Sequence, residues 1–171
     1  PGSVKQHTER YRWYLHNFLR SNNVKSVVDV GCGDWQISSL MDWNGIDYIG
    51  VDVSGVVLNN IRDYTRPGIR FLELDALEND LPIADLLIIK DVMIHWSNDE
   101  IRRFIPKLRR YDKALVTNTT QYPGRSTNME ISTGDFRPVD ISAEPFGLRG
   151  DFVFWYEADS SKSVFLWNKT I

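Results

Sequence analysis

Apolar and polar positions along the chain follow two rhythms in alternation. Tyr11, Tyr14, Leu15, Phe18 and Leu19 recur at helical spacing within residues 3–20, with charges between them, which predicts an amphipathic helix packed on a sheet. VKSVVDV (24–30) is an almost unbroken β-branched run, the composition of a strand buried on both faces. QISSLMDW (36–43) spaces Ile37, Leu40 and Met41 as a short helix. DYIGVDV (47–53) predicts a second strand, and SGVVLNNIRDYT (54–65) a second helix with Ser54 at its N-cap. IRFLELDA (69–76) and ADLLIIKD (84–91) predict strands, and SNDEIRRFIPKLRR (97–110) a helix with Ile101, Phe104, Ile105 and Leu108 on one face. KALVTN (113–118) is a fifth strand. DFVFWYEA (151–158) and KSVFLWNK (162–169) predict a closing antiparallel pair.

Strand and helix alternate up to about residue 117, which argues for an α/β fold: a mostly parallel sheet with helices on both faces. Residues 119–150 break the pattern, with many Gly, Pro, Ser, Thr and Asn and little periodicity. A segment that long in a compact domain is functional or disordered, and here it is expected to be mobile until it orders over an acceptor. The 171 residues suit a single domain, 4–171. The leading Pro-Gly-Ser reads as the remnant of an expression tag.

Charge and cysteine content narrow the setting. A net charge of -3 offers no general attraction to nucleic acid or to anionic membrane. Cys32, the single cysteine, excludes an internal disulfide and fits a cytoplasmic location. No apolar run approaches a membrane span, and no signal-peptide pattern is visible.

The chemistry gathers where the first strand ends, in VVDVGCGDWQIS (27–38). Gly31 and Gly33 let the chain turn sharply beside a ligand, and ligands of open α/β sheets bind beyond the carboxyl ends of the strands. Asp52, about 20 residues on, ends the second strand, where a carboxylate takes both hydroxyls of a ribose. A pyrophosphate would need a third glycine near position 36 and an uncharged helix start. The chain has Asp34, Trp35 and Gln36 there, so the expected ligand carries ribose and adenine without phosphate. S-adenosylmethionine fits, because its sulfonium and ammonium groups tolerate Asp29 and Asp34.

With VVDVGCGD, YIGVDVS, FLELDAL and DLLIIKDVMIHW in this order and spacing, the chain resembles the class I S-adenosylmethionine-dependent methyltransferases. The resemblance covers residues 26 to about 117 and implies a Rossmann-like seven-stranded sheet, with the closing antiparallel pair as its last two strands. Trp35 departs from it, standing where many members have a third glycine. Carried over by position, Asp29, Gly31, Cys32, Gly33, Asp34 and Lys90 line the donor. Asp52 with Val53 holds the ribose, and Asp75 with Ala76 meets the adenine edge.

An oxygen acceptor has to lose a proton, which calls for a base. KDVMIHW supplies Asp91 and, four residues on, His95. On a helix that spacing puts both on one face, with Asp91 orienting His95. His7 and His16, on the first helix, are read as surface or packing residues. Asp91, His95 and Asp99 fall short of a metal-ligand set, so no metal is expected. The fourth strand lacks the Asn-Pro-Pro-aromatic sequence that the family links to nucleobase amines. The cluster Arg102, Arg103, Lys107, Arg109, Arg110 and Lys113 reads as a solvated helix face. The acceptor pocket is expected from loops: Trp35, Trp96, Tyr122, Asn128 and Arg137, with Arg125 and Asp135 nearby. Trp13, Trp155 and Trp167 are read as core. These features together predict O-methylation of a small molecule, a sugar or glycan precursor above others. The alternatives are methylation of nitrogen or RNA, a donor-binding module without catalysis and, more distantly, an oxidoreductase.

Overall fold

The computed structural model describes residues 8–169, so His7 lies outside the described residues. Helix α1 (Glu9–Ser21) leads into strand β1 (Ser26–Val30), and β2 (Asp47–Asp52), α2 (Gly55–Asn60) and β3 (Ile69–Glu73) follow. Then come β4 (Leu86–Lys90), α3 (Asn98–Phe104), β5 (Lys113–Thr119), β6 (Asp151–Glu157) and β7 (Ser161–Asn168). These strands form one sheet in the order β3-β2-β1-β4-β5-β7-β6. The first five are mutually parallel, and β7 runs antiparallel to both β5 and β6. Strand order reverses between β1 and β4, which opens a crevice above their carboxyl ends.

Both faces of the sheet are covered. Tyr11, Leu15 and Leu19 of α1 pack with Val27, Tyr48, Ile88, Leu115 and Val164 on one side. On the other, Ile101, Phe104 and Leu108 pack with Val28, Ile49, Leu87, Val116 and Phe165. The inner strands are apolar throughout because each face meets a layer, so β4 reads as a continuous buried run.

Two predicted helices come out shorter. Residues 36–43 form a single turn of 3₁₀ helix at Ser38–Leu40, with Leu40 exposed. Residues 97–110 start on a capping box between Ser97 and Glu100, but α3 ends at Phe104 and the rest is 3₁₀. Pro106 lacks the N–H that an α-helix needs there. Ser54 caps α2 by accepting from the Val57 N–H.

Trp13 and Trp155 are not core: they are 65% and 62% exposed. Trp167 does pack against the core, and His16 is half-buried. The basic cluster is also more engaged than a solvated face. Lys107 donates to the carbonyls of Ala76, Leu77 and Asn79, and Arg103 and Arg110 pair with Glu78 and Asp80. These residues tie down the loop after β3. No helix among the described residues is long and apolar enough to cross a membrane.

Candidate active site

The turn after β1 is fastened from below. The Gly31 and Cys32 N–H groups both donate to the Val51 carbonyl, at 2.8 and 3.1 Å. Asp52, ending β2, accepts from the Gly33 N–H at 3.0 Å and from the Ser54 N–H at 2.9 Å. Gly31 has φ +72°, and a Cβ there would lie 2.2 Å from Val92 Cγ2, so the segment leaving β4 demands glycine. A Cβ on Gly33, at φ +54°, would meet only open space at the cavity wall.

Trp35 keeps the glycine-like conformation without being glycine, at φ +59°. A bulky residue there costs about 1–2 kcal/mol. Burial offsets it: the indole is 2% exposed and sits among Tyr48, Tyr64 and Phe71. Trp35 therefore belongs to the core and not to an acceptor pocket.

Above the β1–β4 crevice lies a cavity of about 400 Å³. Asp29, Gly31, Cys32, Gly33 and Asp34 line one side, Tyr11, Lys90, Asp91 and Lys162 line it further in, and His95, Tyr122 and Phe136 also border it. The buried Asp29 accepts from the Tyr48 hydroxyl at 2.5 Å and from Ser38 Oγ at 3.1 Å. Burial nonetheless pushes its carboxyl up to about 6. Burial also raises the Cys32 thiol, assisted by Asp29 and Asp52, so it is no nucleophile near neutral pH.

Asp91 takes φ +57° at the end of β4. Burial would raise its carboxyl, but the ammonium groups of Lys90 and Lys162 outweigh that and hold it below the usual range. Lys162 lies 3.0 Å from Asp91 Oδ1 and donates to Thr119 Oγ1 at 2.9 Å. The expected Asp91–His95 pair is replaced by other contacts. Residues 93–95 form one 3₁₀ turn instead of an α-helix, both Asp91 oxygens are held by lysines, and His95 Nδ1 meets the Asp135 carbonyl at 2.9 Å.

Three other acceptor candidates lie outside the cavity lining. Trp96 packs against Phe104. The Asn128 amide donates to the Asp140 and Glu144 carbonyls and accepts from the Asp140 N–H. Arg137 is fully buried, with its guanidinium on backbone and amide oxygens. Far from hanging free, residues 128–148 are buckled onto the fold, with Val139 and Ile141 in the core. Tyr122 alone of the five acceptor candidates reaches the cavity. Of the residues expected at the ribose and adenine, Val53 is exposed, Ala76 is buried in the core, and Asp75 accepts from the Leu77 N–H in a turn; neither these three nor Asp52 belong to the cavity lining.

The residues present suit a cationic amino-acid nucleoside. The Gly33 side of the cavity is open where a Cβ would intrude. Asp29 and Asp34 supply negative charge beside it. Deeper in, the Tyr11 hydroxyl is buried with no hydrogen-bond partner among the described residues. A model of the O-methyltransferase domain matches residues 12–118. The chain belongs to the O-methyltransferase domain family. It is an S-adenosylmethionine-dependent methyltransferase.

Solved structures show the same fold as this methyltransferase. The methyltransferase domain of bacterial CtHen1-CN is 19% identical with a TM-score of 0.71, over 94% of this chain and 98% of that one. Magnesium protoporphyrin IX methyltransferase from Synechocystis PCC 6803, with bound S-adenosylhomocysteine, is 14% identical at TM-score 0.69, over 96% and 84%. Human N-acetylserotonin methyltransferase, in complex with S-adenosylmethionine, is 15% identical at 0.61, over 94% and 55%. No curated protein matches the methyltransferase by sequence.

Sequence reasoning missed Tyr11, Phe136 and Lys162 in the cavity wall. Lys162 did leave a signal. In β7 the inward positions 162, 164 and 166 read Lys, Val, Leu, and a lone charge at an inward strand position asks for a partner.

Proposed function

We propose that this domain transfers the methyl group of S-adenosylmethionine to a hydroxyl oxygen of a small-molecule acceptor, with His95 as the general base. The supporting observation is one cavity that runs from the glycine turn of β1 to His95, Tyr122 and Phe136. The donor supplies a methyl group activated by its sulfonium. The protein then has two tasks, to orient the two reactants and to take a proton.

Gly31, Cys32 and Gly33 form the turn along which the donor lies. Asp52 with Val53 takes the ribose, and Asp75 with Ala76 borders the adenine. Asp29 and Asp34 face the cationic amino-acid end, while the Tyr11 hydroxyl, with Lys90 and Lys162 nearby, suits its carboxylate. Asp91, locked between two ammonium groups, is no base at neutral pH. His95 differs. A carbonyl oxygen only accepts, so Nδ1 carries the proton toward Asp135. In the neutral ring, Nε2 is then the free lone pair.

The aromatic edge formed by Tyr122 and Phe136, 5.0 Å apart in a T-shaped contact, gives the acceptor an apolar wall. A carbohydrate acceptor drew its support from Trp35 and Trp96 as stacking faces. Both pack inside the fold, so the reading stops at a hydroxyl-bearing small molecule. Nucleic acid gains no support either, since Arg103, Lys107 and Arg110 are engaged by the loop after β3.

The test is direct. Calorimetry of S-adenosylhomocysteine against NAD on the purified protein should show binding of the first alone. A screen of hydroxyl- and amine-bearing small molecules with labelled donor should then give methyl ethers. Tight binding of NAD, or label appearing only on amines, would overturn the reading.

A further inference from the structure

Arg137 presents the least expected charge in the molecule. Its side chain is fully buried, yet no carboxylate among the described residues pairs with it. Its guanidinium instead reaches three segments: Nε donates to the Met129 carbonyl at 3.1 Å, Nη1 to the Met93 carbonyl at 2.7 Å, and Nη2 to Asn98 Oδ1 at 2.9 Å. Burying an arginine among neutral oxygens is costly, and apolar packing of similar volume is often at least as stable. Such a group earns an explanation beyond stability.

The geometry supplies one. Met93 begins the 3₁₀ turn that ends in His95, and Asn98 begins α3 just beyond it. The main chain beside Arg137 runs along that same turn. Gly134 N–H donates to the His95 carbonyl at 2.8 Å, and Arg137 N–H donates to the Ile94 carbonyl at 3.1 Å. Between them, the Asp135 carbonyl receives the proton of His95 Nδ1 at 2.9 Å. The guanidinium thus ties residues 134–137 to the start of the histidine turn at Met93 and to the start of α3 at Asn98.

We infer that Arg137 is a positioning residue that holds the Asp135 carbonyl against His95 Nδ1 and thereby fixes the imidazole in its Nδ1–H tautomer, with Nε2 unprotonated toward the cavity. This rests on the reading of His95 as the base for its catalytic meaning, but the tautomer itself is independent of any acceptor. An unheld imidazole samples both tautomers, and a base with the proton on the wrong nitrogen cannot accept one. Lysine would not replace this arginine, because a single ammonium cannot span three acceptors in a plane.

The experiment is ¹⁵N NMR of the full chain with labelled histidine, at about pH 8, where an imidazole is ordinarily neutral. Three histidines make the spectrum assignable, and His95→Ala identifies the resonance. The wild type should show His95 almost wholly as Nδ1–H. Arg137→Lys and Asn98→Ala should move it toward a tautomer mixture, with S-adenosylhomocysteine affinity changed less than about threefold. Arg137→Met should move it furthest, and should it fail to fold, the two milder variants decide. A His95 spectrum unchanged in both folded variants would overturn the inference, as would a wild-type ring protonated on Nε2. Failure of the base reading looks different: His95→Ala would retain turnover while these spectra behaved as expected.

Discussion

The two ends of the cavity are built by opposite means. The end proposed for the donor is local: Asp29 to Asp34 is one continuous stretch, the last residues of β1 and the turn after it, braced by Asp52, which accepts from the Gly33 N–H. The end proposed for the acceptor is gathered from distant chain, with His95, Tyr122 and Phe136 arriving on three separate segments. Strand-tip chemistry can be local because parallel strands already converge at one edge of the sheet. A wall of loops has no such frame and needs long-range hydrogen bonds, here from Asn128 and Arg137, to hold its shape.

If the two ends are separable, a change at one should leave the other alone. The largest effect is expected from His95→Ala, which should lower turnover by roughly 10²–10⁴-fold without altering calorimetric affinity for S-adenosylhomocysteine. An equal loss in affinity would merge the two ends.

Next in size is Trp35, which braces the donor turn. Trp35→Ala should destabilise the fold by about 3–5 kcal/mol, the cost of emptying a buried aromatic site, read from urea unfolding. Trp35→Gly should be the milder change by up to about 1 kcal/mol, because glycine releases the left-handed strain while losing some chain entropy. The reverse order would mean that the backbone is not strained there.

Asp52→Ala should weaken S-adenosylhomocysteine binding by about 1.5–3 kcal/mol, the range for hydrogen bonds to a charged group. Turnover at saturating donor should change far less, since the role proposed for this carboxylate is to hold the nucleoside and brace the turn at Gly33.

The smallest effect is a pH dependence. Asp29 has a folded pKa of about 6, above its ordinary value, because it is buried. In the window between the ordinary carboxyl value and about 6, the folded state therefore holds a proton that the unfolded state has released. The stability contributed by that proton is present below the window and lost as pH rises through it. Donor affinity runs the other way: it should fall as pH drops through about 6, because a protonated Asp29 no longer attracts the cationic end. Asp29→Asn should flatten both profiles, and an unchanged affinity profile would remove Asp29 from the donor site.

How much was legible follows the same division. The parallel strands β1 to β4 were readable because each is a short run leading into a glycine or an acid, β5 by its apolar Ala-Leu-Val, and Ser54 and Ser97 marked the helix starts. Gly31, Gly33 and Asp34 were readable as a phosphate-excluding turn from their own chemistry. The acceptor wall was not, because polarity in residues 119–150 looks the same whether a side chain meets a ligand or its own backbone. Asn128 and Arg137 do the latter, with Arg137 reaching the Met93 carbonyl 44 residues away. Asp91 and His95 were misjudged as a pair because their spacing matters only on an α-helix, and one 3₁₀ turn separates them.

The position of β7 carries a consequence for biosynthesis. It is the last strand of the sheet to be made, yet it lies between β5 and β6. A nascent chain that has reached only β6 presents the bare edge of β5, an invitation to neighbouring chains. It also lacks Lys162, so Asp91 would face the half-built cavity with one counter-charge fewer. Threading β7 into the gap shields the edge and completes the cavity in a single event. On the ribosome, competence to bind and protection from aggregation should therefore arrive together, once β7 has been made.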